Sequence, residues 1–337
     1  MTLPAVFGLS GTALTPDERA FFRAADPAGY ILFARNCADP EQLRALTDDL
    51  RALAGRDVLV AIDQEGGRVA RLKPPHWPEF PPAAAFGRLY ARAPMSAIEA
   101  ARVNAEAIGM LLAAAGVTMN CAPVLDLACE GAHDIVGDRS YGSDPMQVAA
   151  LGRAVLDGLA AAGVAGCVKH MPGHGRCAVD SHRALPVVEA SREALEADVA
   201  PFRSLASRAA AGMVAHVLYT ALDPERPASI SLEIVAGTIR ADIGFGGLLL
   251  SDDVAMKALT GTPAETARAV VDAGCDLALH CSGELAEMEE VAGAVGELGA
   301  EARDRLDRAK IACAPSASSW QALAAKRDLL LAAAASC

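Results

Sequence analysis

Residues 169–182 read KHMPGHGRCAVDSH and hold three of the chain's seven histidines, together with a lysine and an aspartate. His170 and His174 stand four apart, the spacing of two metal ligands on one helix face. Pro172 and Gly173 lie between them and disfavour that helix. Proton transfer is the competing chemistry. Asp180 and His182 are two apart, so on an extended chain they share a side. The carboxylate can then accept from one ring nitrogen and fix the tautomer, leaving the other nitrogen to carry a proton. The interleaved glycines and proline suit a loop that moves. A catalytic loop is the first reading, and a metal site on His170, His174 and His182 the second.

Other reactive types fall at the ends of apolar runs. Asp252 and Asp253 follow GLLLS. One of them serves as an N-cap in the plain reading, but two adjacent acids repel, so the other is expected to face a pocket. Asp63 and Glu65 are two apart in DQEGGRVAR and can point the same way, although Gly66 and Gly67 also fit an ordinary polar turn. Arg71 and Arg139 suit either a structural ion pair or the holding of a polar substrate. His216 sits inside another apolar run, whereas His76, His133 and His280 lack supporting neighbours and read as ordinary polar residues.

Eight short apolar segments would carry these residues: 5–9, 29–34, 57–63, 117–124, 164–170, 212–219, 247–253 and 275–281. Between them lie helical patterns, including 39–54, 93–116 and 144–163, whose apolar residues recur every three or four positions. Several of these open on Asp-Pro or Thr-Pro, a helix-start signal. Near-continuous apolar strands alternating with helices imply a parallel sheet covered by helices. Eight such units over about 280 residues fit a single-domain (β/α)8 barrel of the TIM type. No G-x-G-x-x-G opens the first turn, which argues against dinucleotide binding. The barrel is expected over 1–300, with extra C-terminal helices (301–337) packed on it as part of the same domain. In such a barrel the active site lies where the strands end, and the polar residues above respect that rule.

Of the 337 residues 53% are apolar and 21% charged, enough for a large core. A net charge of −12 without a basic run excludes nucleic acid as a main partner. No stretch reaches the roughly 20 apolar residues of a membrane span, and the start carries no signal-peptide pattern. Nine scattered cysteines without a C-x-x-C pair suggest reduced thiols and a cytoplasmic protein.

Taken together, DQEGGRV, GDRSYG, KHMPGHG followed by DSH, MVAHVLY and LLLSDDVAMKAL closely resemble the glycoside hydrolase family 3 β-N-acetylglucosaminidases of bacterial peptidoglycan recycling. The likeness runs in order from about residue 5 to 285. It implies a TIM barrel and a retaining, double-displacement hydrolysis of terminal β-linked N-acetylglucosamine. By position, Asp252 would be the nucleophile, with Asp253 supporting. His182 would be the general acid/base and Asp180 its partner. Asp63, Arg71, Arg139, Lys169 and His170 would hold the sugar, while Arg68, His174 and His216 would support from behind. The expected partner is a small carbohydrate, a disaccharide from peptidoglycan fragments. No cofactor, metal, nucleic acid or membrane is expected, and the chain should be a monomer. A phosphorylase on the same scaffold, the metal-dependent hydrolase, and a sugar-binding barrel without turnover are the competing readings.

Overall fold

The computed structural model describes residues 2–131, 133–181, 183–310 and 318–333. Eight parallel strands close into a barrel: β1 (Leu3–Gly8), β2 (Pro27–Leu32), β3 (Leu59–Ile62), β4 (Met119–Asn120), β5 (Ala165–Met171), β6 (Ala211–Val214), β7 (Leu248–Asp253) and β8 (Leu277–His280). Each pairs with its sequence neighbours, and β8 closes on β1. The fold is therefore the expected (β/α)8 barrel.

The strand sequences explain the closure. Side chains alternate in direction along a strand, and here both directions are apolar. Val6, Ala61, Leu248, Leu250, Leu277 and Leu279 pack inside the barrel with Met119, Cys121 and Cys167. Their neighbours Phe7, Val60, Ile62, Leu249 and Ala278 point outward into a larger layer beneath the helices. Each buried Leu or Ile contributes roughly 1.5–3 kcal/mol, so a register slip would exchange two packed layers at once.

The outer ring comprises α1 (Pro16–Ala25), α2 (Pro40–Ala54), α3 (Ala83–Tyr90), α4 (Pro94–Ala114), α5 (Pro145–Ala161), α6 (Arg192–Leu205), a π-helix (Glu233–Asp242), α7 (Pro263–Asp272), α8 (Leu285–Ala294) and α9 (Ala300–Arg308). The Asp-Pro and Thr-Pro starts act as expected. Thr15, Asp39, Asp144 and Thr262 each cap a helix through the side chain, with proline in the first turn. The last helix, α10 (Trp320–Ala333), packs on α4, where Arg327 donates to Asn104 Oδ1 at 3.0 Å. Among the described residues, no helix is long and apolar enough to cross a membrane.

Two expected strands differ. Segment 117–124 pairs regularly only at Met119–Asn120, because Pro123 has no N–H to continue the ladder. Segment 212–219 divides: Ala211–Val214 stays in the barrel, while Leu218–Tyr219 leaves it to pair with Val187–Val188. His216 thus lies just beyond β6 rather than within it. Of the histidines set aside on sequence, His280 ends β8 fully buried, with Nε2 3.0 Å from Glu287, and His133 Nδ1 accepts from the Ile135 amide.

Candidate active site

At the C-terminal ends of the strands lies a cavity of about 360 Å3. Its lining includes Asp63, Glu65, Arg68, Arg71, Arg139, Lys169, His170, His174, Asp252 and Asp253, with Phe33, Met213, Met256 and Leu279 as apolar wall. The strand pleat explains the selection. Continuing the inward positions by two residues past Ile31, Ala61, Cys167 and Leu250 reaches Phe33, Asp63, Lys169 and Asp252. The apolar interior of the barrel thus gives way to charge within one step of each strand end.

Two register irregularities add the adjacent residues. On β5 the pairing with β6 slips between Val168 and Met171, and on β7 the pairing with β8 slips between Leu250 and Asp253. An extra residue in one strand re-aims the side chains beside it. Lys169 and His170, and likewise Asp252 and Asp253, accordingly reach the cavity as consecutive pairs.

The floor is an ion network. The Lys169 ammonium, 3% exposed, donates to Asp63 Oδ1 at 2.7 Å and pairs with Glu65 Oε1 at 2.8 Å. Arg71 donates to the other Asp63 oxygen at 3.0 Å, and Arg139 grips Glu65 with two bonds of 2.8 Å. Burial pushes the Asp63 and Glu65 carboxyls up. The cations outweigh it: Lys169 and Arg71 hold Asp63 well below the usual carboxylate range, and Lys169 with Arg139 holds Glu65 at about 2. Burial likewise disfavours the Lys169 charge, but the two carboxylates raise it far above its ordinary value. Asp63, Glu65, Lys169 and Arg139 are all ionised at neutral pH. The close hydrogen bonds are what make so dense a set of buried charges tolerable.

Local sequence builds this floor. Gly66 and Gly67 adopt φ of 100° and 56°, and a Cβ at either would press on Pro81 or Pro82. The tight turn they form folds Val69 back onto Glu65, and Gln64 then takes the Arg71 and Leu72 amides on its side-chain oxygen. Arg68, also in the cavity lining, ties down the 134–138 loop through Asp138 and the carbonyls of Asp134, Ile135 and Val136.

Asp126 is fully buried behind His170. One of its oxygens lies 2.7 Å from His170 Nδ1, and the other accepts the His170 and His174 amides at 3.2 and 2.7 Å. Burial opposes its charge, yet the His170 ring and these bonds hold it at about 2. His170 is thereby fixed with Nδ1 turned to the wall. At β7, Asp252 Oδ1 accepts the Asp253 amide, while Asp253 Oδ1 takes the amides of Ala255 and Cys281. Asp253 thus caps its own turn, and burial raises its carboxyl. His216 bridges from Ser229 to the Asp253 carbonyl at 2.6 and 3.0 Å, and burial keeps it neutral.

The cavity therefore gathers Asp63, Arg71, Arg139, Lys169, His170 and Asp252. Asp180 lies on the 171–190 segment beside Ser181, which itself lines the cavity. His182, expected as the acid/base, lies outside the described residues. Among the described residues no group of three His, Cys, Asp or Glu side chains is placed to hold a metal. The third member of the alternative metal set, His182, is not among them. One residue was missed, and a second was read only in part. Asp126 is a single acid in an otherwise apolar run, VLDL, and that isolation is its signal. Glu65 was noted for direction only, although one side chain binding both Lys169 and Arg139 makes it the central anion of the floor.

The sequence profile described as the Glycosyl hydrolase family 3 N terminal domain matches residues 11–311. A β-hexosaminidase of Thiobacillus denitrificans is 40% identical over 316 residues, covering 91% of this chain and 86% of its own length. That of Aromatoleum aromaticum is 42% identical over 286 residues, covering 83% and 79%. NagZ from Neisseria gonorrhoeae, solved in complex with N-trifluoroacetyl-D-glucosamine, superposes with a TM-score of 0.88 at 31% identity, covering 98% of both chains. Profile, relatives and fold agree over nearly the whole length, and the chain belongs to glycosyl hydrolase family 3.

Proposed function

We propose that this family 3 β-hexosaminidase removes single terminal β-linked N-acetylglucosamine units with retention, acting in the cytoplasm on N-acetylglucosamine–anhydro-N-acetylmuramic acid fragments of peptidoglycan. The observation that carries the reading is Asp252, an inward carboxyl on β7, facing a polar floor already saturated with fixed charge. A cavity of about 360 Å3 lies near the lower end of the range for small-ligand sites and suits one sugar ring better than a chain. The buried thiols of Cys177 and Cys275, held protonated by burial, suit a reducing compartment. Residues 1–300 form the catalytic domain in this reading, and the C-terminal helices belong to the same unit.

In the first step the Asp252 carboxylate attacks the anomeric carbon. The bond to the leaving oxygen breaks as His182 delivers its proton there, giving a covalent glycosyl-aspartate. In the second step His182 takes a proton from water, whose oxygen displaces Asp252 from the same carbon. Most retaining glycosidases use two carboxyls about 5–5.5 Å apart for these roles. An imidazole, with an ordinary pKa near 6.5, transfers protons at neutral pH and adds no second negative charge beside the nucleophile. Asp180 orients it. Asp63, Arg71, Arg139, Lys169 and His170 hold the sugar hydroxyls and the acetamido group.

The test compares aryl β-N-acetylglucosaminides of good and poor leaving groups. Asp252→Ala is expected to lose activity on both by about 1,000-fold or more. His182→Ala should lose about 100-fold or more only where the leaving group needs protonation. Full activity in Asp252→Ala, or sugar 1-phosphate as product when phosphate is supplied, would overturn the reading.

A further inference from the structure

His174 lies at the boundary between two halves of the 171–190 segment. The first half is fastened to the barrel. Asp126 takes the His174 amide at 2.7 Å, Tyr219 donates to the Gly173 carbonyl at 2.9 Å, and Arg176 binds Asp198 at 2.5 Å. The His133 amide also donates to the Cys177 carbonyl at 2.8 Å. The second half carries Asp180 and the proposed acid/base. Across the gap, His174 Nε2 meets the Ser181 hydroxyl at 3.2 Å, with the two residues 4% and 3% exposed. Ser181 is the residue between Asp180 and His182 in the sequence, so its side-chain bond tethers the chain next to the proposed proton-transfer pair.

The His174 ring has no part in the proposed chemistry, yet it is held as firmly as a catalytic group. Its amide is bonded to Asp126, its face meets the His170 ring edge-on at a centroid distance of 5.6 Å, and its Nδ1 is buried without a partner among the described residues. Burial, then the neighbouring His170, lowers its pKa to about 4. The ring is therefore neutral at working pH and can exchange a hydrogen bond with a hydroxyl without bringing a charge beside Asp252.

We infer that His174 and Ser181 form a latch that positions the proton-transfer arm: the Nε2–Oγ bond holds the second half of the loop against the barrel, and the acid/base works from that held arm. Both line the cavity, and the latch gives them a positioning role exerted through their neighbours. The inference rests on His182 being the acid/base.

Ser181→Ala removes the bond with a change of one atom. It is expected to cut kcat for substrates with poor leaving groups about tenfold or more and to leave those with good ones within about threefold. Inhibition by free N-acetylglucosamine should be unchanged, because the sugar floor is untouched. Amide hydrogen exchange across residues 178–184 should quicken, and Ser181→Thr, which keeps the hydroxyl, should restore both slow exchange and kcat. His182→Ala is measured in parallel, alone and combined with Ser181→Ala. If the latch acts through His182, the double variant is no slower than His182→Ala alone. Equal losses on both substrate classes in Ser181→Ala, or unchanged exchange and kcat, overturn the latch while His182→Ala still discriminates. A His182→Ala variant that does not discriminate overturns the acid/base assignment and the latch with it.

Discussion

At the residue scale the site is an arrangement of charge more than of reactive groups. Lys169 is surrounded by Asp63 and Glu65, and each carboxylate is also held by an arginine. In such a lattice each charge is held by the others, so the dipoles and charges are fixed in advance. Glu65 ties Lys169 to Arg139. Replacing it with Gln leaves the Arg139 guanidinium, 11% exposed, without its anion. Breaking one side of a buried pair costs about 3–5 kcal/mol. Glu65→Gln should therefore lower the melting temperature by several degrees and raise KM for an aryl N-acetylglucosaminide, measured by calorimetry and steady-state kinetics. A variant with wild-type stability and KM would show that Glu65 is not the keystone of the floor.

At the element scale the barrel was largely legible. Eight apolar runs became eight strands because both faces of each are covered, a condition that leaves continuous hydrophobicity as its trace. Asp39 and Asp144 before proline marked helix starts through their side-chain caps. The divided 212–219 run was not legible, since its two halves are equally apolar and only the turn between them separates the pairings. Nor were the irregularities on β5 and β7 legible. A one-residue slip leaves composition unchanged while bringing Lys169 with His170, and Asp252 with Asp253, to one cavity. Asp126 left only its isolation in VLDL as a trace, because its partners, the His170 ring and the His170 and His174 amides, meet it only in the fold. Helix contacts supply a prediction here. Gly158 on α5 has no room for a side chain, because a Cβ would fall on the Arg102 carbonyl of α4. Gly158→Ala should destabilise the fold by about 1–3 kcal/mol or more through overpacking. Its unfolding midpoint in urea should fall while KM stays at the wild-type value. An unchanged midpoint would contradict this account of the α4–α5 contact.

At the scale of the whole molecule the buried ionisable groups couple folding to acid. Glu65 and Asp126 hold folded pKa values of about 2, below the roughly 4 of unfolded carboxyls, so their contribution is present above that value. It is lost as pH falls through the folded values. His174, at about 4 in the fold, is protonated near 6.5 when unfolded, so the unfolded chain gains protons first and stability declines from about pH 6.5 downward. The melting temperature should be level near pH 7–8 and fall steadily from about 6.5 towards 2. A flat profile between pH 6.5 and 4 would contradict the burial of His174.

The central claim is that Asp252 becomes covalently glycosylated. In His182→Ala, an aryl N-acetylglucosaminide with a good leaving group should still glycosylate the enzyme, while the second step, lacking its base, slows. Acid quench, proteolysis and mass spectrometry should then find one N-acetylhexosaminyl group on the peptide bearing Asp252, absent from the Asp252→Ala/His182→Ala double variant. A modified peptide from elsewhere in the chain, or aryl release with no adduct at any time, would contradict the account.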